Sequence, residues 1–497
     1  MNESGRARID WWIAYLLIGM AIFPLACGPT GPEETPQPPS EVPTSEATSQ
    51  PITRPTAEPT GEDGPATLEG LTAEGPWWLI STEHGHWGLN VDGSGLTKLV
   101  EHGFYGAGGM EPVIASSGGL VAYISVRDLN SMHGLTLNVL RLPSGDGWSV
   151  TELSTRYDDL VMQPGEPEFE AVRAIVSLPS VAWSPSADRL AFMGVIDGPT
   201  SDLYLYEMGD GSITQLTDGP SQGIRPSWSL DGLEIVHQGV TTLGTGAGFG
   251  MAGIWSAAAD GTSIQSLYPI PDGSGDEEVL GWTGSTEFVV TSWNALCGGY
   301  SLRTIDLLSG AVEVLWTGAY NRLALDEASG SMLIAVRDYG DICEQQAGEG
   351  TYLIKPGEAP ELISAVRAER VSWVPQVGSF LAWLEGGLVA VSLEGSLTPL
   401  PAPVENLPTV SPDGARWAFR ATQFFNEKQG LWVGDYGEAA PLMYSDDVFE
   451  MHWGSANSLI FRSNGQLLVA VGPDFSATPV DFGVELGSSI NVALVGR

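Results

Sequence analysis

The stretch "PSWSLDGLEIVHQG", residues 226–239, joins two short apolar segments through a turn rich in Ser, Asp and Gly. The arrangement recurs as "SVAWSPSADRLAFMG" (180–194) and "PTVSPDGARWAFRA" (408–421), with weaker copies at 112–125, 278–292, 322–336, 370–384 and 449–463. Aligning the copies gives one equivalent large residue in each, which we call the anchor. The anchors are Ile114, Trp183, Trp228, Trp282, Leu325, Trp373, Val410 and Trp453.

A second pair of apolar segments follows most copies. Examples are "LYLYEMGDGSITQLT" (203–217) and "IWSAAADGTSIQSLY" (254–268), in which Asp-Gly separates alternating apolar residues. Asp-Gly in this setting indicates a tight hairpin. Each unit is therefore predicted to be a four-stranded sheet, which cannot bury both of its faces alone. Such units stack around an axis, so the pattern predicts an all-β protein, a β-propeller.

The number of blades follows from the anchors and the two ends of the repeat region. Hairpins at 77–101 lack a first strand, and "SSINVALVG" (488–496) is a strand without a hairpin. Pairing the two would build one blade from both parts of the chain and leave no open sheet edge. Literal counting then gives nine blades. Because the Leu325 unit is degenerate, we expect eight, with nine as the alternative.

The repeats resemble the WD40-like (PD40) repeats of TolB-type propellers, whose motif is Pro-x-Trp-Ser-Pro-Asp-Gly. Residues 226–232 and 408–414 carry this motif with small changes, and the likeness is close over 180–240 and 405–445. It implies structural roles for the recurring residues: tryptophans wedged between blades and Asp-Gly turns. These residues are Trp183, Trp228, Asp231, Gly232, Trp282, Trp373, Asp413, Gly414 and Trp453. The α/β domain of TolB has no counterpart here, so its role is not carried over.

The N-terminus predicts export. Arg6 and Arg8 precede the apolar run Trp11–Ala26, which is short for a membrane-spanning helix and typical of a signal peptide. Small Ala26 stands directly before Cys27, which resembles the lipobox of bacterial lipoproteins, although Pro24 replaces the usual leucine. We therefore expect residues 1–26 to be cleaved and Cys27 to carry lipid. An uncleaved anchor and ordinary secretion are the alternatives.

The rest of the chain falls into two parts that differ in composition. Residues 27–71 are rich in Pro, Thr, Ser and Glu and poor in large apolar side chains, which predicts a disordered tether. Residues 72–497 form the predicted propeller domain. The whole chain has 61 acidic and 21 basic residues, a net charge of −40. A surface of that charge repels phosphate backbones and excludes nucleic acid as a partner.

Besides Cys27, the chain has Cys297 and Cys343. Each lies between the second and third strands of successive units. Equivalent loops of neighbouring blades reach the same rim, and an exported protein can keep a disulfide. We therefore predict a disulfide between them, with two free thiols as the alternative.

Several local patterns bear on whether the chain has catalytic or metal-binding residues. His84, His86 and His102 could contribute to a metal site, but no complete ligand set accompanies them. Ser221 lies in a Gly-x-Ser-x-Gly pattern without the strand-to-helix turn that a nucleophile needs. The segments 248–253, 157–172 and 272–278 are expected to be loops, the last two acidic and without a recognised calcium spacing. We assign no catalytic residue, metal or cofactor.

These observations predict a lipid-anchored propeller on the extracytoplasmic side of a bacterial cell membrane. It would act as a binding scaffold, with a protein or glycan partner held by its loops. The alternative is an enzyme, a polysaccharide lyase or glycosidase using the central channel, because catalytic groups of propellers come from different blades and leave no local signature. An enzyme should gather His, Tyr, Arg and acidic side chains at one mouth of the channel.

Overall fold

The computed structural model describes residues 68, 70–101, 110–126, 134–154, 167–219, 221–243, 249–269, 276–294, 298–338, 343, 346–422, 428–484, 486 and 490–496. These residues form a β-propeller of nine four-stranded antiparallel sheets. The nine-bladed alternative is therefore the observed count. The preferred count of eight was one short, because the Leu325 unit forms a complete blade despite its degenerate sequence.

Blade 1 contains both ends of the repeat region. It consists of β1 (Trp77–Thr82), β2 (Gly85–Asn90), β3 (Thr97–Val100) and β36 (Ile490–Val495). Strand β36 pairs antiparallel with β1, so that Ile80 lies opposite Val492. This is the closure that the unpaired segments of the sequence predicted, and it leaves no gap in the ring of blades.

Blades 2 to 5 follow in chain order. Blade 2 is β4 (Val113–Ile114), β5 (Leu120–Ser125), β6 (Thr136–Arg141) and β7 (Asp146–Glu152). Blade 3 is β8 (Val181–Trp183), β9 (Arg189–Gly194), β10 (Asp202–Glu207) and β11 (Ile213–Gln215). Blade 4 is β12 (Gln222–Trp228), β13 (Glu234–Leu243), β14 (Phe249–Ala258) and β15 (Ile264–Pro269). Blade 5 is β16 (Asp276–Trp282), β17 (Glu287–Asn294), β18 (Gly298–Asp306) and β19 (Val312–Tyr320).

Blades 6 to 9 complete the ring. Blade 6 is β20 (Arg322–Asp326), β21 (Ser331–Val336), β22 (Gly350–Ile354) and β23 (Glu361–Ser364). Blade 7 is β24 (Arg370–Val374), β25 (Ser379–Leu384), β26 (Gly387–Val391) and β27 (Leu397–Leu400). Blade 8 is β28 (Thr409–Val410), β29 (Arg416–Ala421), β30 (Gly430–Asp435) and β31 (Leu442–Tyr444). Blade 9 is β32 (Glu450–Ser455), β33 (Ser458–Ser463), β34 (Gln466–Val471) and β35 (Ser476–Pro479).

One helix, α1 (Pro167–Ser177), precedes blade 3 within the described residues. Its Pro at the first helical position and its apolar residues at helical spacing explain why it forms. Ala171, Val172, Ile175 and Val176 are buried against the blades. The acidic segment 157–172, expected to be a loop, therefore contributes its last residues to a packed helix.

The core lies between blades rather than at one centre. Trp78 and Ile80 of blade 1 pack with Ile460 and Val469 of blade 9. Blades 7 and 8 share a similar cluster in which Trp417 and Phe419 are fully buried. Because each blade buries both faces against its neighbours, the ring is stabilised by a series of similar interfaces.

Candidate functional site

The first strand of each blade lies nearest the central channel. First strands of neighbouring blades contact one another, as β8 does β12 and β20 does β24. We call the side on which first strands begin the loop face; it also carries the connections between second and third strands. We call the opposite side, on which first strands end, the turn face. The anchors end or nearly end the first strands and so lie towards the turn face.

The Asp-Gly turns have structural roles on the turn face. The Ser411 hydroxyl donates a hydrogen bond to Asp413 Oδ1 at 2.6 Å and accepts one from the Arg416 amide at 2.9 Å. Ser229 and Asp231 repeat this arrangement, with a distance of 2.7 Å. Hydrogen bonds to Ser411 and the following backbone lower the pKa of Asp413. These carboxylates close their own turns.

The anchor tryptophans join blades. Trp183, Trp228, Trp282 and Trp453 are buried, and each indole nitrogen donates a hydrogen bond to the first strand of the preceding blade. Trp373 differs: it is half-buried, and its indole nitrogen has no hydrogen-bond partner among the described residues.

A groove of about 610 Å³ lies beside Trp373. It is lined by residues 323–328 of blade 6 and by residues of blade 7 that include Trp373. Leu325 occupies the anchor position at this junction, and a leucine fills less space than the tryptophan found at most others. The groove thus lies where a leucine anchor meets a half-buried tryptophan anchor.

The predicted cysteine sites fall mostly outside the described residues. Cys27 and Cys297 lie outside them. Cys343 is buried and packs near Ala319 and Tyr300 on the loop face. The Cys297–Cys343 disulfide stays a prediction.

The histidines of the 82–88 segment have different surroundings. His84 is exposed beside Glu83, with 3.6 Å between Nε2 and Oε1. His86 is buried, its Nδ1 lies 2.7 Å from Ser81 Oγ, and burial lowers its pKa to about 4. His102 lies outside the described residues. Across the described ranges, no three His, Cys, Asp or Glu side chains come together in a way that could hold a metal ion.

Two segments expected to be loops form strands. Residues 249–253 begin β14, and residues 276–278 begin β16. Ser221 directly precedes β12, so a strand and not a helix follows it. Glu277 is buried and accepts hydrogen bonds from Ser292 Oγ at 2.7 Å and Arg303 Nη1 at 3.0 Å. Sequence reasoning missed this polar network, because its members are distant along the chain.

Arginines gather on the loop face. Three lie at the same place in their blades, three residues before the anchor, and these are Arg225, Arg322 and Arg370. Arg337, Arg367, Arg420 and Arg462 also lie on this face, by their positions at second-strand ends or before a first strand. On the turn face the described arginines are Arg141, Arg189 and Arg416. Among the described residues, the loop face therefore carries more arginines than the turn face.

Arg225 has an unusual conformation. Its φ is +53°, at a β-bulge between Ile224 and Ser227. A non-glycine residue in the left-handed region is held there by its surroundings and is often found at functional sites. Its Nη1 donates to Gln238 Oε1 at 3.3 Å and lies 3.5 Å from Glu278 Oε1, whereas its buried Nε has no partner within the described chain.

A chain of polar contacts links blades 6 to 8. Arg322 Nε donates to the carbonyl oxygen of Glu369 at 2.9 Å. The neighbouring Arg370 donates from Nη1 to the Asn406 side-chain oxygen. Asn406 in turn donates from Nδ2 to the carbonyl oxygen of Arg420 at 3.0 Å. One asparagine therefore holds the Arg370 side chain beside the backbone of Arg420.

His452 and Glu450 of blade 9 lie near this chain. Burial lowers the pKa of His452, and the charge of Arg420 lowers it further. His452 nevertheless has an exposed surface, although Met451 and Trp453 on either side are buried. Arginine, histidine and glutamate side chains from three blades thus come together on the loop face.

No protein-family model and no curated protein matches this chain. Among solved structures, a eukaryotic initiation factor is 10% identical, with 85% of this chain and 99% of that chain covered and a TM-score of 0.50. TolB from Acinetobacter baumannii is 14% identical over 77% of this chain and 68% of its own, with a TM-score of 0.32. An oligogalacturonate lyase in complex with manganese is 13% identical over 72% and 99%, with a TM-score of 0.36.

The nine four-stranded sheets define the class of protein, and the likeness to the initiation factor concerns the fold alone. The chain is a β-propeller with TolB and other propellers among its structural neighbours. In the described part of the chain no helix is long and apolar enough to span a membrane. The apolar run Trp11–Ala26 lies outside that part.

Proposed function

We propose that this chain is an exported, lipid-anchored β-propeller that acts as a binding scaffold at the bacterial cell envelope, and that its loop face binds an acidic partner, protein or glycan. The observation that carries the binding surface is the gathering of arginines there, in a chain with 61 acidic and 21 basic residues. Basic side chains on one face of an acidic protein favour partners of opposite charge and speed their association.

The lipid anchor rests on the sequence around Cys27. The tether joins the propeller on the turn face, so the junction does not cover the loop face. The Leu68 amide donates to the carbonyl oxygen of Pro143 at 3.2 Å, and Asn90 donates to the carbonyl oxygen of Gly70 at 2.9 Å. Pro143 follows β6 and Asn90 ends β2, so both contacts lie on the turn face. The end of the tether therefore lies on the turn face, opposite the arginines of the loop face.

The test uses the full-length protein, carrying a C-terminal tag and purified with its cross-linked partners from membranes. The loop-face variant combines Arg322→Gln with Arg462→Gln, and the matched control combines Arg141→Gln with Arg416→Gln on the turn face. Both variants remove the same charge. We expect the wild type and the control to recover the same partner, in amounts that fall as salt rises, and the loop-face variant to lose it. Equal recovery with both variants would contradict the proposal.

The second candidate is a propeller enzyme that acts on an acidic polysaccharide. The observation that favours it is that His452 lies near Arg420 and Glu450 with an exposed surface, because a histidine whose pKa is lowered is neutral at pH 7 and can accept a proton. Loss of polysaccharide chain length on incubation with the protein, abolished in His452→Gln and retained in the Arg141→Gln control, would support it. If the wild-type protein leaves the polysaccharide chain length unchanged, the enzyme candidate is excluded and the scaffold function remains.

A further inference from the structure

Among the described arginines of the loop face, Arg420 is the one whose guanidinium has no hydrogen bond or ion pair. The side chain is half-buried, yet in the described part of the chain it makes no hydrogen bond and no ion pair within 4.0 Å. Burial lowers the pKa of Arg420; the charge of Glu450 raises it, and the charge of Arg370 lowers it. A cation removed from water without a partner destabilises a fold, so such groups commonly belong to binding sites.

A second arginine is held close by. Asn406 accepts a hydrogen bond from the Arg370 side chain and donates one to the main-chain oxygen of Arg420, so the Arg370 side chain is held beside the strand that carries Arg420. Like charges that are kept together repel, unless an anion lies between them. His452 also lies close enough to be influenced by Arg420. The three side chains come from blades 7, 8 and 9, so they meet only because successive blades pack side by side.

We propose that Arg370 and Arg420, with His452 beside them, form a binding site for a carboxylate group. This inference rests on the proposed function and specifies its chemistry. Guanidinium groups bind planar carboxylates through two parallel hydrogen bonds, and Arg370 and Arg420 each retain donors that no described residue accepts.

The charges around Arg370 and Arg420 favour a ligand group with a single negative charge. Glu450 lies near Arg420 and repels a doubly charged group such as phosphate more strongly than a carboxylate. The net charge of −40 opposes polyanions in the same way. The carboxylate can come from an acidic sugar or from the C-terminus of a peptide, and the experiment separates these two sources.

The experiment titrates full-length protein with D-glucuronate and N-acetylglycine, each paired with its neutral amide, and follows binding by saturation-transfer NMR. Inorganic phosphate is a separate arm. We expect at least one acid to bind and its amide not to bind, and the acid that binds identifies the source. Arg420→Gln should weaken binding at least tenfold, Arg420→Lys should restore part of it, and Arg141→Gln should leave it unchanged. Equal binding of acid and amide, unchanged affinity in Arg420→Gln, or binding of phosphate alone would overturn the proposal.

A second measurement does not depend on the ligand. Because Arg420 has no described partner to lose, Arg420→Gln should keep or raise the thermal midpoint of the ligand-free protein. A lower midpoint would show that Arg420 stabilises the fold and would overturn the site. If carboxylates fail to bind while the loop face still captures its partner, only this inference fails. If carboxylates bind but capture is insensitive to loop-face charge, only the proposed function fails.

Discussion

The indole nitrogen of Trp228 lies 3.0 Å from the carbonyl oxygen of Ala182, in the first strand of the preceding blade. The same relationship joins Trp183 to Val113 at 2.9 Å and Trp453 to Thr409 at 3.2 Å. In each case the acceptor is the residue directly before the preceding anchor. Where the anchor is a buried tryptophan, as at Trp183, Trp228, Trp282 and Trp453, it therefore connects its blade to the one before it.

Replacing Trp228 with Phe should remove this hydrogen bond and part of the buried ring. We expect a loss of about 2 kcal/mol in the free energy of unfolding, measured in denaturant titrations. Trp373→Phe is the matched control, since Trp373 is half-buried and its indole nitrogen has no partner in the described chain. It should lose less than about 1 kcal/mol. Equal losses in the two variants would refute the assigned role of the bond.

Substitution of Gly414 tests whether the Asp-Gly turn of blade 8 requires a glycine. Its φ is +74°, and a Cβ atom there would lie 2.9 Å from the carbonyl oxygen of Gln376 in the preceding blade. Gly437 has a similar φ of +83° with no atom within 4 Å. Gly437→Ala should therefore cost about 1 kcal/mol for the conformation alone, and Gly414→Ala about 2 kcal/mol or more. Comparable melting temperatures for the two variants would show that the contact with Gln376 is easily relieved.

Acid should destabilise the protein through two buried histidines. Burial lowers the pKa of His86 and of His237 from 6.5 to about 4. The unfolded chain binds protons more readily than the folded one, so this stability is complete above pH 6.5 and falls as the pH drops towards 4. At pH 5 each histidine should cost about 2 kcal/mol. Unfolding measured between pH 8 and pH 5 tests this expectation.

The His237→Phe variant is the control for acid destabilisation. Phenylalanine can keep the stacking that His237 makes with Trp255, where the ring centroids are 6.3 Å apart. It cannot bind a proton, so about half of the two-histidine effect should disappear. A pH profile identical to that of the wild type would mean that His237 does not contribute.

The predicted disulfide has a direct assay. Closing the loop between Cys297 and Cys343 should stabilise the propeller by roughly 4 kcal/mol in the chain-entropy model. A reductant should therefore lower the melting temperature of the wild type and leave a Cys297→Ser, Cys343→Ser variant unaffected. Thiol labelling of unfolded, non-reduced protein should modify neither residue; labelling of both would exclude the bond.

The lipid anchor can be tested at Cys27. The wild-type protein should fractionate with membranes, and intact mass spectrometry should show an acylated N-terminal cysteine after loss of residues 1–26. Cys27→Ser should lose the acyl mass, because the lipid is attached through the thiol. Cys343→Ser is the control and should keep it. Membrane fractionation of Cys27→Ser without acylation would favour the uncleaved anchor instead.

The sequence by itself determined the repeat and therefore the fold. All eight anchors lie in first strands, and the unpaired segments at 77–101 and 488–496 form one blade as expected. This works because a four-stranded unit is a local structure: its hairpins and turns are encoded by neighbouring residues. The Leu325 unit lacks a strong motif and is nevertheless a complete blade, because its four strands pair fully and its second and third strands are buried throughout.

Only the tertiary structure decided which charged residues meet. Successive members of the group Arg370, Asn406, Arg420 and His452 lie 14 to 36 residues apart along the chain, without a common local pattern. They come together because the ring places successive blades side by side. The same holds for Glu277 and Arg303. Strand pairing and turns are written in neighbouring residues, but the protonation and pairing of a side chain depend on its burial and on the charges around it, and both arise only when the blades pack.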